Sequence, residues 1–396
     1  MWRNIKLLAL FNFFTDFQFH SAILVIYFAK VTGSYALAMS LFSVAMLSSA
    51  IFEVPTGIFS DKIGRKKTLS IGAFCATLAA IFTAIGGSYW MLFIGALCSG
   101  LSRSWYSGNN DAFLHDSLSE SGKKENYAHY FGKTSSMFQV ALMMGAVIGS
   151  ILAQWSFSLI MWLSVIPQLF CLIISFFFRE PHVFSKEQTN IFTHIKLSAV
   201  HLWKNKTLRL LSIRDILNFG IGESSFQFSA AFIGSVWPIW AIGFSKMISF
   251  GGAALSYWFS GKTIQKFGAY NILLCAQIYD RIVGFIAVIR PTIVSPILMG
   301  STSIFHGVTS VANNSLMQKE FTDVQRATLG SLNSFLGNIF FALFSPILGL
   351  FADKFGPANA LLMTQVVYLP VFFITWYLQK RNKKKYEHIG NRIIMR

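Results

Sequence analysis

The sequence predicts an all-α membrane protein, with twelve transmembrane helices arranged as two pseudosymmetric six-helix bundles. Three observations predict it. The 396 residues are 54% apolar and 12% charged, with a mean hydropathy of +0.54, too hydrophobic for an ordinary soluble domain. Apolar stretches long enough to cross a bilayer as a helix, about 20 residues, recur twelve times. Short pieces also recur close to half the chain length apart, Phe59-Ser60 as Phe259-Ser260 and Asn109-Asn110 as Asn313-Asn314.

In chain order the stretches fall near 6–28, 34–59, 68–87, 89–114, 134–154, 157–178, 210–233, 237–259, 269–290, 292–317, 327–351 and 358–378. The first contains Asp16 and lacks a small-residue cleavage site, so it reads as a retained helix. With the N-terminus in the cytoplasm, most of the 33 Lys and Arg fall on that side and only Lys30, Arg290 and Lys354 fall outside. Cationic loops stay inside, so both termini are expected there, with a bacterial inner membrane as the simplest home. The net charge of +17 then reports topology and does not imply nucleic acid as a partner.

Residues 1–178 form the expected first bundle, 179–209 a cytoplasmic linker, 210–378 the second bundle and 379–396 a basic tail. Within the linker Ile191, Ile195, Ala199 and Leu202 recur at helical spacing beside Lys196 and Lys204, which suits an interfacial helix or a solvated tether. Lys380, Arg381, Lys383, Lys384 and Lys385 in the tail suit anionic headgroups of the lipid bilayer. Cys75, Cys98, Cys171 and Cys275 lie in apolar segments, where a thiol acts as a small hydrophobe. No disulfide, metal or cofactor is implied. No nucleotide-binding loop or nucleophile constellation stands out, which argues against an enzyme and against ATP as the energy source.

Between the second and third stretches lies Gly57-Ile-Phe-Ser-Asp61-Lys-Ile-Gly64-Arg65-Lys66-Lys67-Thr68, a tight cationic turn at a membrane surface. Gly57 would let a neighbouring helix approach, Gly64 would permit the turn, and Asp61 would accept hydrogen bonds or face the positive end of a neighbouring helix dipole. This stretch resembles the loop between the second and third helices of the major facilitator superfamily, with the pattern G-x-x-x-D-x-x-G-R-[KR]. The resemblance implies the fold of that family, a solute cavity opening alternately to each side, and a loop that stabilises one of the two conformations. Gly57, Asp61, Gly64 and Arg65 match the loop. The family commonly has an acid after helix 4 that pairs with the hinge arginine, which here is Asp116. The second-half copy, Phe259 to Gly268, lacks the aspartate; a third piece, Gly349-Leu-Phe-Ala-Asp353-Lys-Phe-Gly356, reads as an outer turn.

An ionisable side chain at the bilayer centre is costly, so each needs a partner or a purpose. Asp16 lies about ten residues into helix 1, roughly 15 Å deep at 1.5 Å per residue. Asn12, Asp16 and His20 at spacings of four predict one polar stripe facing a central cavity. Asp16 and His20 read either as a proton-trading pair or as a hydrogen-bonded tie between helices. Helix 7 carries Asp215, Phe219, Glu223 and Gln227 at the same spacing. Glu223 is the deeper acid, a proton or substrate ligand or a structural group, and Asp215 with Arg214 reads as a surface ion pair. Helix 4 aligns Arg103, Ser107 and Asp111, with Arg103 at mid-depth and Asp16 a candidate partner. The resemblance associates an arginine in this helix with proton coupling in antiporters. In helix 10, His306, Ser310 and Asn314 repeat the spacing, which places His306 opposite Arg103 across the pseudo-twofold, as a proton-coupling or cavity residue or as a hydrogen-bonded filler. Asp280 and Arg281 in helix 9 are expected to be structural, because the family places that helix at the periphery. Glu53, near Pro55, reads as a coupling acid or as part of the hinge.

Drug and proton antiporters of the superfamily usually carry G-x-x-x-G-P-x-x-G-G in helix 5. Here Gly145 and Gly149 match, but Ser150 replaces the proline and Ala153-Gln154 the final pair. The expected function is secondary active transport by alternating access, as proton-coupled export of small amphipathic molecules such as a drug or siderophore-like metabolite. Proton-coupled uptake of a nutrient or siderophore is the alternative, and a non-transporting membrane sensor is a third reading. A small-molecule solute and protons are the expected partners, for a monomer.

Overall fold

The computed structural model describes residues 2–122, 124–181, 202–320 and 326–394, which form helices joined by turns and short connections, without a strand. In the first half, α1 (Trp2–Asp16) and α2 (Leu24–Thr32) occupy the first apolar stretch and α3 (Tyr35–Ile63) the second. They are followed by α4 (Arg65–Ile85), α5 (Tyr89–Tyr106) with α6 (Asn109–Glu120), α7 (Tyr127–Ala153), and α8 (Phe157–Leu163) with α9 (Val165–Phe176). In the second half come α10 (Lys206–Val236), α11 (Ile242–Phe267) and α12 (Ala269–Ile289). They lead into α13 (Ser295–Ser301) with α14 (His306–Glu320), α15 (Arg326–Phe355), and α16 (Pro357–Val367) with α17 (Leu369–Ile394). The predicted interfacial helix of the linker lies outside the described residues apart from Leu202. Helix α17 runs through the expected tail boundary at residue 378 without a break.

Among the described residues, eight helical segments are both long and apolar enough to cross a bilayer. They match the second, third, fifth, sixth, eighth, ninth, eleventh and twelfth predicted stretches. The first, fourth and tenth stretches are divided into shorter helices, and the seventh, α10, is long but polar. Those four stretches carry Asp16, His20, Arg103, Glu223 and His306. Those polar side chains lower the apolar signal of their stretches.

The termini of these helices follow ordinary capping rules. Ser34, Ser88 and Ser156 each accept from the backbone N–H three residues on, and Asn205 Oδ1 accepts from Thr207 and Leu208. Outer faces carry large apolar side chains, with Trp258, Ile293 and Phe373 all exposed. That is what hydrocarbon as a solvent permits.

Buried apolar residues form three clusters. One joins both halves, packing Ile23, Met39 and Ala146 of the first with Phe228, Phe232 and Leu348 of the second. The second belongs to the first half alone, around Leu8, Phe11, Leu69, Phe113 and Phe178. The third belongs to the second half alone, around Leu208, Leu211, Leu273 and Leu316. The two halves therefore share a core at one end. At the other end, where the basic turn at residues 64–67 lies, each half has its own.

Candidate functional site

Helix 1 is broken. Helix α1 ends at Asp16, and residues 17–23 run as turns before α2 begins at Leu24. The break is accommodated by Gly145 and Gly149 on α7. A Cβ at Gly145 would meet the Gln18 carbonyl oxygen at 2.8 Å, and one at Gly149 would run into the Phe19 carbonyl. The two matching glycines of helix 5 thus serve close approach of an irregular backbone. Ser150, in place of the proline, donates to the Trp240 carbonyl across the two halves at 3.0 Å. Asn12, Asp16 and His20 accordingly do not form one helical stripe, which corrects the expectation from spacing. Asn12 Nδ2 donates to the Thr134 carbonyl, Asp16 ends the helix, and His20 sits buried in the turn with its N–H on Ser164 Oγ. Arg103 is exposed and points Nη1 at Met46 Sδ, 3.6 Å away. Its expected alignment with Asp111 is interrupted at Ser107-Gly108, where Gly108 takes a φ of 70°.

A cavity of about 1050 Å³ lies between the halves, walled mostly by the second. Glu223, Lys246 and His306 line it. Gln227 Nε2 donates to Glu223 Oε1 at 2.7 Å, and the His306 ring meets Tyr257 edge-on at 6.0 Å. Lys246 is buried, 5% exposed, and is the residue that the sequence analysis left without a role. Its Nζ donates to the Phe226 carbonyl at 2.7 Å and to Ser229 Oγ at 2.8 Å, and lies 3.7 Å from the centre of the Phe226 ring. An intramembrane cation marks a functional position by default, and that rule, applied to Lys246 in the eighth stretch, was the available signal. Asp16, His20 and Arg103 are not part of this cavity's lining.

Nearer the basic end, Arg214 is buried and is no surface ion pair, contrary to expectation. Its Nη1 donates to Asn313 Oδ1 at 2.7 Å and its Nε to Thr375 Oγ1 at 2.9 Å, while Asn313 Nδ2 donates to Asp215 Oδ1 at 2.6 Å. The first half has a related arrangement. Arg65 Nη1 donates to Asn109 Oδ1 at 3.0 Å and to Ser60 Oγ at 2.7 Å, and Ser60 is hydrogen-bonded to Asn109. Asn109 and Asn313 are the repeated asparagines, so each half pins its copy with an arginine from a different helix.

In the basic turn, Gly64 takes a φ of 93°, where a side chain would be strained, and separates α3 from α4. Arg65 Nε lies 3.9 Å from Asp116 Oδ2, and His115 Nδ1 3.3 Å from Asp116 Oδ1. Glu180, read from sequence only as linker, caps α4: its carboxylate accepts from the N–H of Arg65 at 2.6 Å and of Lys66 at 2.8 Å. A Cβ at Gly57 would meet nothing within 4 Å, so helix approach is not its use in this conformation. The side chain of Asp61 lies outside the described residues.

The piece from Gly349 to Gly356 is more than a turn. Asp353 reaches the N-terminus of α3, accepting from Ser34 Oγ at 2.5 Å and from the N–H of Tyr35 at 2.6 Å and Ala36 at 3.0 Å. A Cβ at Gly349 would run into the Tyr35 carbonyl. The far end is closed by these contacts. Asp280 and Arg281, expected to be structural, line the cavity.

The chain matches the Major Facilitator Superfamily over residues 7–343. It is 33% identical over 183 residues to an uncharacterized transporter of Buchnera aphidicola, covering 46% of this chain and 41% of that protein. It is 31% identical over 131 residues to the class H tetracycline resistance protein of Pasteurella multocida, covering 33% of this chain and 32% of the relative. A Na(+), Li(+), K(+)/H(+) antiporter of Planococcus maritimus is 25% identical over 186 residues, 45% of this chain and 43% of that one. The chain thus spans under half the length of these relatives. In architecture it resembles the nucleoside transporter NupG, in a mutant form, with a TM-score of 0.80 at 14% identity over 94% of this chain and 99% of that one. A bacterial homologue of the lysosomal transporter Spinster, solved facing inward and unoccupied, gives 0.75 at 14% identity over 96% and 97%. With the matched family, the repeated halves and the apolar helices agreeing, the chain belongs to the Major Facilitator Superfamily as a multi-pass integral membrane protein.

Proposed function

We propose that the protein is a secondary active transporter working by alternating access, which exports a small amphipathic solute in exchange for protons from a bacterial inner membrane, as a monomer. The observation that carries this reading is the ionisable trio Glu223, Lys246 and His306 inside a cavity closed at the far end. The separate cores at the basic end leave that side as the opening. Taking the basic side as cytoplasmic, the cavity faces the cell interior and receives a solute there. Similarity to tetracycline resistance proteins over a third of the chain supports the outward direction. Similarity to a cation/proton antiporter supports exchange against protons.

In this reading Glu223 and His306 carry the proton within the cavity. Asp16, His20 and Arg103 form a second coupling group at the break of helix 1, whose state alters how α1 and α7 pack. Gly57, Asp61, Gly64, Arg65 and Asp116 form the hinge at the basic end. A proton bound at Glu223 removes a charge that a closed, dry cavity disfavours, so loading and closure favour one another.

Efflux of tetracycline and of a fluorescent cation from energised cells tests the reading at equal membrane abundance of each variant. Export that collapses with a protonophore and is lost in Glu223→Gln and Asp16→Asn is the expected result. Accumulation driven by the proton gradient would replace export with uptake. Intact protein that moves neither probe in either direction would remove the drug-export reading.

A further inference from the structure

One wall of the cavity is polar in a way that proton coupling does not use. On α12, Gln277, Asp280, Arg281 and Gly284 fall on one helical face at spacings of three and four, and all four line the cavity with Gln365 and Tyr368. Five polar atoms of this wall are shielded from solvent without a hydrogen-bond partner among the described residues: Gln277 Nε2 and Oε1, Asp280 Oδ1, Arg281 Nη1 and Gln365 Oε1. Unpaired buried polar atoms are costly and rare. Here they gather on two neighbouring helices.

The wall is also held in place. The Arg281 guanidinium carbon lies 3.9 Å from the centre of the Tyr368 ring, and Tyr368 donates its hydroxyl to the Asn218 carbonyl at 3.3 Å. The absence of a side chain at Gly284 admits Gln365, whose Nε2 would be 3.0 Å from a Cβ there. A fixed cation and a neighbouring anion therefore each keep a vacant hydrogen-bonding atom, flanked by amides that both donate and accept.

We infer that Gln277, Asp280, Arg281 and Gln365 form a solute subsite for a zwitterion, with its anionic group on Arg281 and its cationic group on Asp280. The amides satisfy the polar atoms between, and Tyr368 backs the guanidinium. A singly charged solute engages only one of the two wall charges, and an apolar one engages neither. The inference rests on reading the cavity as the solute path, and it narrows the solute from amphipathic to doubly charged and neutral overall.

The test is the thermal stability of the purified full chain in detergent, titrated with L-alanyl-L-alanine, its N-acetyl form, its C-terminal amide, and sorbitol. The expected result is a rise in Tm with the free dipeptide alone. The half-saturating concentration should rise about tenfold or more in Asp280→Asn and in Arg281→Gln, as for loss of a hydrogen bond to a charged group. Arg281→Lys, which keeps the charge, should retain weaker binding and guards against a variant that simply fails to fold. Equal shifts from all four compounds, a shift from a singly charged form or sorbitol alone, or no shift from any would overturn the subsite, as would unchanged binding in both neutral variants. The efflux assay fails separately. A dipeptide that binds this wall in a protein exporting nothing leaves the subsite standing and removes the export reading.

Discussion

Lys246 shows how one side chain becomes tolerable inside a membrane. Its ammonium is satisfied by a helix carbonyl, a serine hydroxyl and the face of Phe226, so the charge costs less there than it would in open hydrocarbon. Lys246→Met keeps the apolar stem and removes the charge. Transport initial rates at matched abundance should fall about tenfold, the effect of about 1.4 kcal/mol, while the protein remains monodisperse. A variant transporting at the normal rate would reduce Lys246 to a packing residue. Beside the basic turn, Asp116 is partly exposed and sits at the long end of ion-pair distance from Arg65. Asp116→Asn should therefore change stability by less than about 1 kcal/mol, yet alter the transport rate. A large loss in Tm with unchanged rate would make the pair a staple and not a hinge.

Elements explain what single residues cannot. Helix 1 is divided because its polar residues and the backbone at 17–23 find partners on α7 and on Ser164, and α7 supplies glycines where that irregular backbone passes. Gly149→Val should collide with the Phe19 carbonyl and cost about 1–3 kcal/mol, lowering Tm or yield. A fully stable Gly149→Val would show that the break can move. At the far end, the carboxylate of Asp353 caps α3 from the other half of the chain. Since a charge at an exposed helix N-terminus contributes up to about 1 kcal/mol, Asp353→Asn should shift the population toward outward opening roughly fivefold. Faster labelling of a cysteine placed at Met39, which is fully buried here, by an impermeant maleimide would report it. Unchanged labelling would leave Asp353 as a local cap. The octapeptides starting at Gly57 and Gly349 share glycine, phenylalanine, aspartate, lysine and glycine at the same positions. They lie at opposite ends of the two halves, and the second of them, through Asp353, caps α3.

For the whole molecule, the arrangement of one shared core and two separate ones defines where the halves can part. Packed interfaces switch between discrete arrangements, so opening the far end means breaking the shared cluster as a unit. Cysteines at Ser34 and Asp353, whose side chains meet across the far end, should cross-link on oxidation in a variant lacking the exposed Cys275. Transport should stop on oxidation and return on reduction. Continued transport by the cross-linked protein would mean that the far end need not open.

Hydropathy alone determined the helical membrane class and the placement of most segments, because a chain that must satisfy its backbone within hydrocarbon has few options. The glycine, aspartate and arginine spacing around residues 57–65 pointed to the family for a related reason: a tight charged turn between membrane helices tolerates little variation. The site was only partly legible. Glu223 and His306 were found because a polar spacing of four stands out against an apolar background, and both do line the cavity. That same spacing misplaced His20 and Asp111, since it assumes an unbroken helix and the breaks at residues 17–23 and 107–108 depend on what packs alongside. Arg214 looked superficial and is buried, while Asp280 and Arg281 looked peripheral and line the cavity. Tertiary structure decided these points, along with the partners of Lys246, Glu180 and Asp353, because each depends on contacts between residues far apart in the chain.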